Sequence, residues 1–247
     1  MNDFIFRFFI STLLFFLLLF IFNKLGENPE PLPSSENPRK EIVEAVIFTL
    51  VAILYFFFYI NILRPLVFSF YIHLGISTIV LLLIPLIYTR CRDNWKFKDY
   101  KINSKIRNWP IAFFSILIFL YMGFYSPFTE SISWYLLIIY FYSNAFLEEF
   151  LFRGVIQSKL ERALGQNIAV FYQGILFMLV HLPRHIFELI EEGNHLWFFL
   201  KLGLQLFNGI YFGLIYMKTR NIWIPTICHY LNNWFGSILM QFLLFLS

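Results

Sequence analysis

Residues 133–153 read SWYLLIIYFYSNAFLEEFLFR. An apolar run from Trp134 continues through Phe146 and Leu147 and then places Glu148, Glu149 and Arg153 among Phe and Leu. Crossing about 30 Å of hydrocarbon takes about 20 apolar helical residues, and this stretch has that length. An ionisable side chain inside such a segment costs about 2.5–3.5 kcal/mol on insertion scales. Three of them in six residues therefore mark either a pairing or a chemistry. The stretch reads as a membrane helix with a purpose in its polar half.

The rest of the chain agrees. Of 247 residues, 59% are hydrophobic, 22% aromatic and only 14% charged, where soluble domains are about 45–50% apolar and about 25% charged. Thirty-four Phe cannot be hidden in one water-soluble core, because a chain of this size still leaves roughly a quarter of its surface exposed. Composition thus excludes a soluble enzyme, a nucleic-acid-binding domain and a disordered chain. The net charge of +4 then reports basic loops and anionic lipid rather than nucleic acid. Cys91 and Cys228 stand in a basic loop and an apolar segment respectively, so they read as plain thiols.

Apolar stretches predict crossings at 4–22, 43–63, 66–89, 109–126, 133–152, 167–183, 196–217 and 222–246. The expected fold is all-α, a polytopic membrane helix bundle of about eight transmembrane helices. The break between the second and third falls at Arg64-Pro65, where Pro cannot continue a helix interior cheaply. The first segment has Arg7 as its basic residue and no small-x-small site after it, which favours a retained helix over a cleaved signal. Three blocks follow. Residues 1–42 are a transmembrane helix and a Pro/Glu-rich linker without a core-building pattern; 43–108 are two transmembrane helices and a basic loop; 109–247 are the membrane core that carries Glu148, Glu149 and Arg153. Lys and Arg number three in 24–40, seven in 90–107 and five at Arg153, Lys159, Arg162, Lys218 and Arg220, against Arg64 and Arg184 on the other side. That asymmetry predicts a cytoplasmic location for those three groups of loops. The usage of Ile, Phe and Lys fits a multi-pass protein of a bacterial cytoplasmic (inner) membrane.

Helix geometry sorts the buried polar groups. Glu149 and Arg153 are i,i+4 and can pair on one face. Glu148 is turned about 100° away and needs another partner. Gly165 marks a turn; Glu148 lies 17 residues before it and His181 lies 16 after it. At 1.5 Å per residue both stand about 24–26 Å from the turn, so an antiparallel hairpin brings them to equal height. The polar stretch Gln157–Gln166 is expected to project from the bilayer as the hairpin tip. His229 enters from the same side, and Asn233 lies one turn beyond it. A carboxylate beside an imidazole in a dry site can hold and deprotonate a water. A second imidazole and an amide can donate to the oxyanion formed when water attacks a carbonyl. Glu148, His181 and His229 are also the donor types of a zinc site.

These residues form three motifs in order: Glu148-Glu149-Phe-Leu-Phe-Arg153, Phe177-Met-Leu-Val-His181 and His229-Tyr-Leu-Asn232-Asn233. The pattern E-E-x-x-x-R, F-x-x-x-H and H-x-x-x-N on successive apolar helices resembles the CPBP family. These are the intramembrane proteases that include the CAAX prenyl endopeptidases and the bacteriocin-processing and immunity (Abi) proteins. The resemblance covers roughly residues 130–240 and extends to the segment from Gly209 through Arg220 and Pro225 that leads into His229. It implies that Glu148 activates the attacking water with His181, and that His229 and Asn233 stabilise the oxyanion. Glu149 with Arg153 would be the supporting pair. It further implies glutamate-dependent intramembrane proteolysis of a peptide, lipidated or transmembrane protein substrate in the bilayer, with zinc as the alternative cofactor and no nucleic-acid partner.

Plainer readings compete at several positions. Glu149–Arg153 could be helix glue, and His181 alone an interhelical hydrogen-bond donor. The latter role suits His73, whereas His185 and His195 read as interfacial. Phe177 should pack against the site, and Gly209 and Gly213 mark close helix contact. Arg184–His195 is polar where the sixth helix should continue outward, and Pro183 would permit a bent or amphipathic surface segment there. At the level of function, a non-catalytic membrane scaffold or bacteriocin-immunity-type protein is the alternative. A proton-coupled transporter would also bury Glu and His, but it predicts an inverted repeat that the sequence lacks.

Overall fold

The computed structural model describes residues 29–60, 69–102, 104–124 and 133–246, together with positions 13 and 17. Among these the chain is helical with no strand. The predicted crossing 4–22 and the Arg64-Pro65 break lie outside the described residues.

Helix α1 is Pro38–Phe58. Its start follows local rules: Asn37 accepts a hydrogen bond from Lys40 N at 3.1 Å and Pro38 takes the first helical position, where its missing N–H costs nothing. Helix α2 comprises Ser69–Ser77, a π-helical stretch Thr78–Leu83 and Ile84–Arg92. A single 3-10 turn, Phe97–Tyr100, precedes α3, Trp109–Phe124. Helix α4 runs Trp134–Leu164, longer than the predicted 133–152. Two π-helical stretches, Phe141–Phe146 and Phe150–Gln157, interrupt it on either side of Leu147–Glu149. Helices α5, Gln166–Glu192, α6, His195–Thr219, and α7, Trp223–Leu246, complete the chain.

Gly165 (φ +83) turns α4 into α5 and Gly193 (φ +66) turns α5 into α6, both in the left-handed region where glycine carries no Cβ penalty. Helix α5 continues outward through Pro183 to Glu192, without the break that Pro183 would permit. The polar end of α5 is held instead by ion pairs: Glu188 contacts Arg184 at 2.9 Å, His185 at 3.1 Å and Lys201 of α6 at 2.9 Å. His185 is itself buried.

Among the described residues four helices, Pro38–Phe58, Tyr71–Arg92, Trp134–Leu164 and His195–Thr219, are long and apolar enough to cross a membrane, and Trp109–Tyr121 is a shorter apolar helix. The protein is an integral membrane protein. Its large exposed side chains, among them Leu54, Phe113, Ile138 and Phe199, are the lipid-facing counterpart of two inner clusters. In one, Ala45, Phe48 and Ala52 of α1 meet Phe150, Phe152 and Val155 of α4 and Phe177 of α5. In the other, Ile111 and Phe119 of α3 meet Phe212 of α6 and Cys228 of α7. Helices α5 and α6 approach closely at Gly209, where an added Cβ would lie 2.9 Å from Gly174 Cα and O. The small-residue reading of this pair is correct.

The polar end of the bundle is packed through ion pairs and hydrogen bonds. Gln157, Ser158 and Lys159 are fully buried within the protein. Lys159 Nζ contacts Glu41 at 2.9 Å, Glu44 at 2.6 Å and Asp93 at 2.7 Å, so a lysine assigned to a loop is the centre of a buried ion cluster. The linker is also docked rather than free. Leu32 N donates to Glu161 Oε1 at 2.9 Å, Gln166 Nε2 to Pro29 O at 2.7 Å, and Ser35 N to Arg162 O at 3.0 Å. Backbone donors and carbonyls satisfy the polar ends of the helices there, a contribution that hydrophobic patterning does not reveal.

Candidate active site

The pocket of polar groups is assembled by α4, α5 and α7, with α1 and α6 as walls. Glu148 and Glu149 sit in the short α-helical segment between the two π-helical stretches of α4. π-Helical insertions recur at functional sites because they re-aim side chains within a helix. Here they let neighbouring carboxylates serve different partners.

Glu149 is fully buried and its Oε1 accepts from Arg153 Nη1 at 3.0 Å and from His229 Nδ1 at 2.8 Å. The predicted pairing with Arg153 is present, and the bond to His229 is additional. Arg153, itself fully buried, also donates from Nη2 to Gly209 O at 3.1 Å. Its guanidinium lies over the rings of Phe177 at 4.6 Å and Phe212 at 5.3 Å. Such stacking compensates part of the desolvation cost of a buried cation. Phe177 contacts the His181 ring at 4.7 Å and the His229 ring at 6.1 Å between centroids, so it packs between the two histidines as expected.

Glu148 and His181 meet at the predicted height, with Oε2 and Nε2 3.7 Å apart. The tautomer of His181 follows from its other nitrogen. Nδ1 lies 2.9 Å from Phe177 O, and a carbonyl can only accept, so Nδ1 carries the proton. In the neutral ring Nε2 is then an acceptor. Glu148 Oε2 is buried without a hydrogen-bond partner among the described residues. Two acceptors therefore face one another at a distance too long for a direct bond. A donor with two protons, seated to one side at about 2.8 Å from each, would satisfy both.

Asn233 lies one turn beyond His229 on α7, half-buried, with its Oδ1 accepting from Asn232 Nδ2 at 3.0 Å. Among the described residues no group of three His, Cys, Asp or Glu side chains is arranged to hold a metal ion. The Nδ1 of His181 faces Phe177 O and that of His229 faces Glu149, which leaves Nε2 of each ring toward the cluster, and Cys228 is a free buried thiol.

The motifs did not disclose the α1 wall. The Phe56 ring stacks with the His181 ring at 6.3 Å between centroids. Beside it Tyr55 hydroxyl is hydrogen-bonded to His73 Nδ1 of α2, the interhelical role expected of that histidine. A Phe in an apolar helix carries no sequence signal distinguishing a site wall from a lipid contact. Gln157 is a second omission: it donates to Gly213 O at 3.0 Å one step below the Arg153–Gly209 bond, tying α4 to α6.

Residues 129–235 match the model of a protein family described as Type II CAAX prenyl endopeptidase Rce1-like. This agrees with the CPBP resemblance, supports a CAAX-protease-type intramembrane fold for this part of the chain, and contains every residue of the cluster. Helices α1, α2 and α3 lie outside the match. No curated protein and no solved structure matches the chain.

Proposed function

We propose that the protein is an intramembrane endopeptidase of the CAAX-protease type in which Glu148 and His181 together activate a water. The observation that supports this most is the pair of acceptors facing each other at 3.7 Å, one of them a buried carboxylate oxygen without a partner. A water donating one proton to Glu148 Oε2 and the other to His181 Nε2 presents a lone pair outward. A peptide carbonyl placed there is attacked as the proton moves to the carboxylate. The carbonyl oxygen becomes an oxyanion, to which the Asn233 amide donates, and to which His229 donates from Nε2 as the imidazolium, since its Nδ1 proton is already given to Glu149. Collapse of the intermediate breaks the C–N bond, and the proton held by Glu148 passes to the leaving amine. Glu149 acts through His229, holding its Nδ1 so that Nε2 is left for the substrate, and Arg153 fixes Glu149.

The substrate proposed is a peptide, lipidated or transmembrane segment that reaches the cluster from the bilayer. A non-catalytic scaffold of immunity type would use the same fold, but it has no need of an unpartnered buried carboxylate, which costs stability. The test is hydrolysis of a prenylated CAAX peptide by the purified protein in lipid nanodiscs, run in heavy-oxygen water with and without chelator. One labelled oxygen should enter the new carboxylate, and the rate should survive chelation. No cleavage of any prenylated or transmembrane peptide by folded protein would favour the scaffold. Loss of activity on chelation, restored by zinc, would replace the metal-free step.

A further inference from the structure

A cleft of about 550 Å³ opens at the polar end of the bundle, away from the glutamate–histidine cluster, lined by Glu30, Leu32, Lys101, Lys105, Arg107 and Arg220. It is a built site rather than a chance gathering of surface lysines. Its floor is Arg220, which is buried and fixed by a bidentate pair to Glu161 at 2.6 and 2.7 Å and by a bond to Glu30 O at 3.0 Å. Its wall is the 101–107 loop, clamped to the corner between α6 and α7. Arg107 N donates to Thr219 O at 3.0 Å, Ile222 N to Lys101 O at 3.3 Å, Asn221 Nδ2 to Ser104 O at 2.6 Å and Trp223 Nε1 to Ile102 O at 2.9 Å.

Two of the three non-glycine residues with positive φ, Lys101 (φ 57) and Arg220 (φ 51), line this cleft. A left-handed conformation costs a residue with a Cβ about 1–2 kcal/mol, and such strain gathers where a side chain must point in a particular direction. Arg220 is neutralised by Glu161. Lys101, Lys105 and Arg107 form no ion pair among the described residues, and the single carboxylate of the lining, Glu30, leaves them in excess. Burial, and then the neighbouring Arg220, hold the Lys101 ammonium below the usual lysine range. Among the described residues the cleft lining therefore carries more positive than negative side chains.

We infer that this cleft binds a phosphate-bearing anion, with Lys101, Lys105 and Arg107 as the contacting cations and Arg220 as the fixed floor. The position suits a lipid headgroup. The indole-bearing residues that begin α3 and α7, Trp109 and Trp223, flank the loop and are both exposed, and exposed Trp at helix ends marks the headgroup level of a bilayer. A soluble phosphate compound offers the same chemistry, and the experiment separates the two sources.

Wild-type protein in neutral detergent is titrated with phosphatidylglycerol, with phosphatidylcholine and with inorganic phosphate, and bound ligand is read by native mass spectrometry. The same is done for Lys105→Gln/Arg107→Gln, both exposed positions, and for Arg92→Gln/Lys98→Gln, which removes equal charge from exposed positions outside the cleft. The wild type should retain phosphatidylglycerol in preference to phosphatidylcholine. The cleft variant should bind about thirtyfold more weakly, on the scale of a kilocalorie per basic residue at an anionic surface, and the control should be unchanged. Saturable binding of inorganic phosphate that the cleft variant loses assigns the site to soluble phosphates. Equal weakening in both variants, or no preference for either phosphate-bearing anion in the wild type, overturns the proposal.

Discussion

Replacing Glu148 by Gln should abolish most proteolysis while leaving the protein folded. Glutamine keeps the size and one acceptor oxygen of the carboxylate but cannot take a proton from water. Loss of a general base typically lowers a rate by about 10²–10⁴-fold, equivalent to about 3–5 kcal/mol of transition-state stabilisation. His181→Gln should fall by a similar factor, because a water held by one acceptor is neither oriented nor polarised toward the carbonyl. The two residues act on one water, so the double variant should be no slower than the slower single variant, the non-additivity expected of groups that act as a unit. Initial rates of peptide cleavage, with melting temperatures as a folding control, decide this. A Glu148→Gln variant with wild-type rate would remove the carboxylate from the mechanism.

The largest stability effect is expected at Lys159, far from the chemistry. Its ammonium is fully buried among Glu41, Glu44 and Asp93. Lys40 also contacts Asp93 at 2.7 Å, and Tyr88 donates to Glu44 at 2.6 Å. Removing one partner of a buried ion pair costs about 3–5 kcal/mol, because the remaining charges are left desolvated. Lys159→Met leaves three carboxylates with one lysine and one phenol, and should lower the melting temperature by roughly 10 °C. Adding Glu41→Gln and Glu44→Gln should restore part of that loss, since the uncompensated charge is then gone. The same cluster sets an acid limit. Burial would raise the Asp93 carboxyl, but hydrogen bonds from Lys159 and Lys40 outweigh it and hold it below the usual range. A depressed folded-state value contributes stability above the unfolded value and loses it as pH falls through the folded one. Melting temperature should therefore hold above about pH 5 and decline below about pH 4. A Lys159→Met protein as stable as the wild type would show that the cluster is not a clamp.

The sequence disclosed the membrane fold and the height of the site for the same reason. Both depend on hydrophobic length and residue rise, which survive translation into structure. Counting from Gly165 placed Glu148 opposite His181 because α5 is a continuous helix and the glycine turn is where the sequence put it. The bond from His229 to Glu149 was not legible, since the two π-helical stretches of α4 alter which faces the neighbouring carboxylates serve. Polar residues outside the motifs were misread in a consistent way. Lys159 and Arg220 look like loop charges when counted for orientation, yet their ion-pair partners lie 59 to 118 residues away in the chain. Long-range ion pairs leave no local pattern. The docking of residues 29–35 rests on backbone groups, which composition does not encode.

The central claim is that Glu148 and His181 share one water. An experimental density map at a resolution that shows ordered solvent tests it directly. One water should lie within hydrogen-bond distance of both Glu148 Oε2 and His181 Nε2, with its remaining face open toward His229. A direct bond between the two side chains, or a metal ion bridging them, would contradict the account.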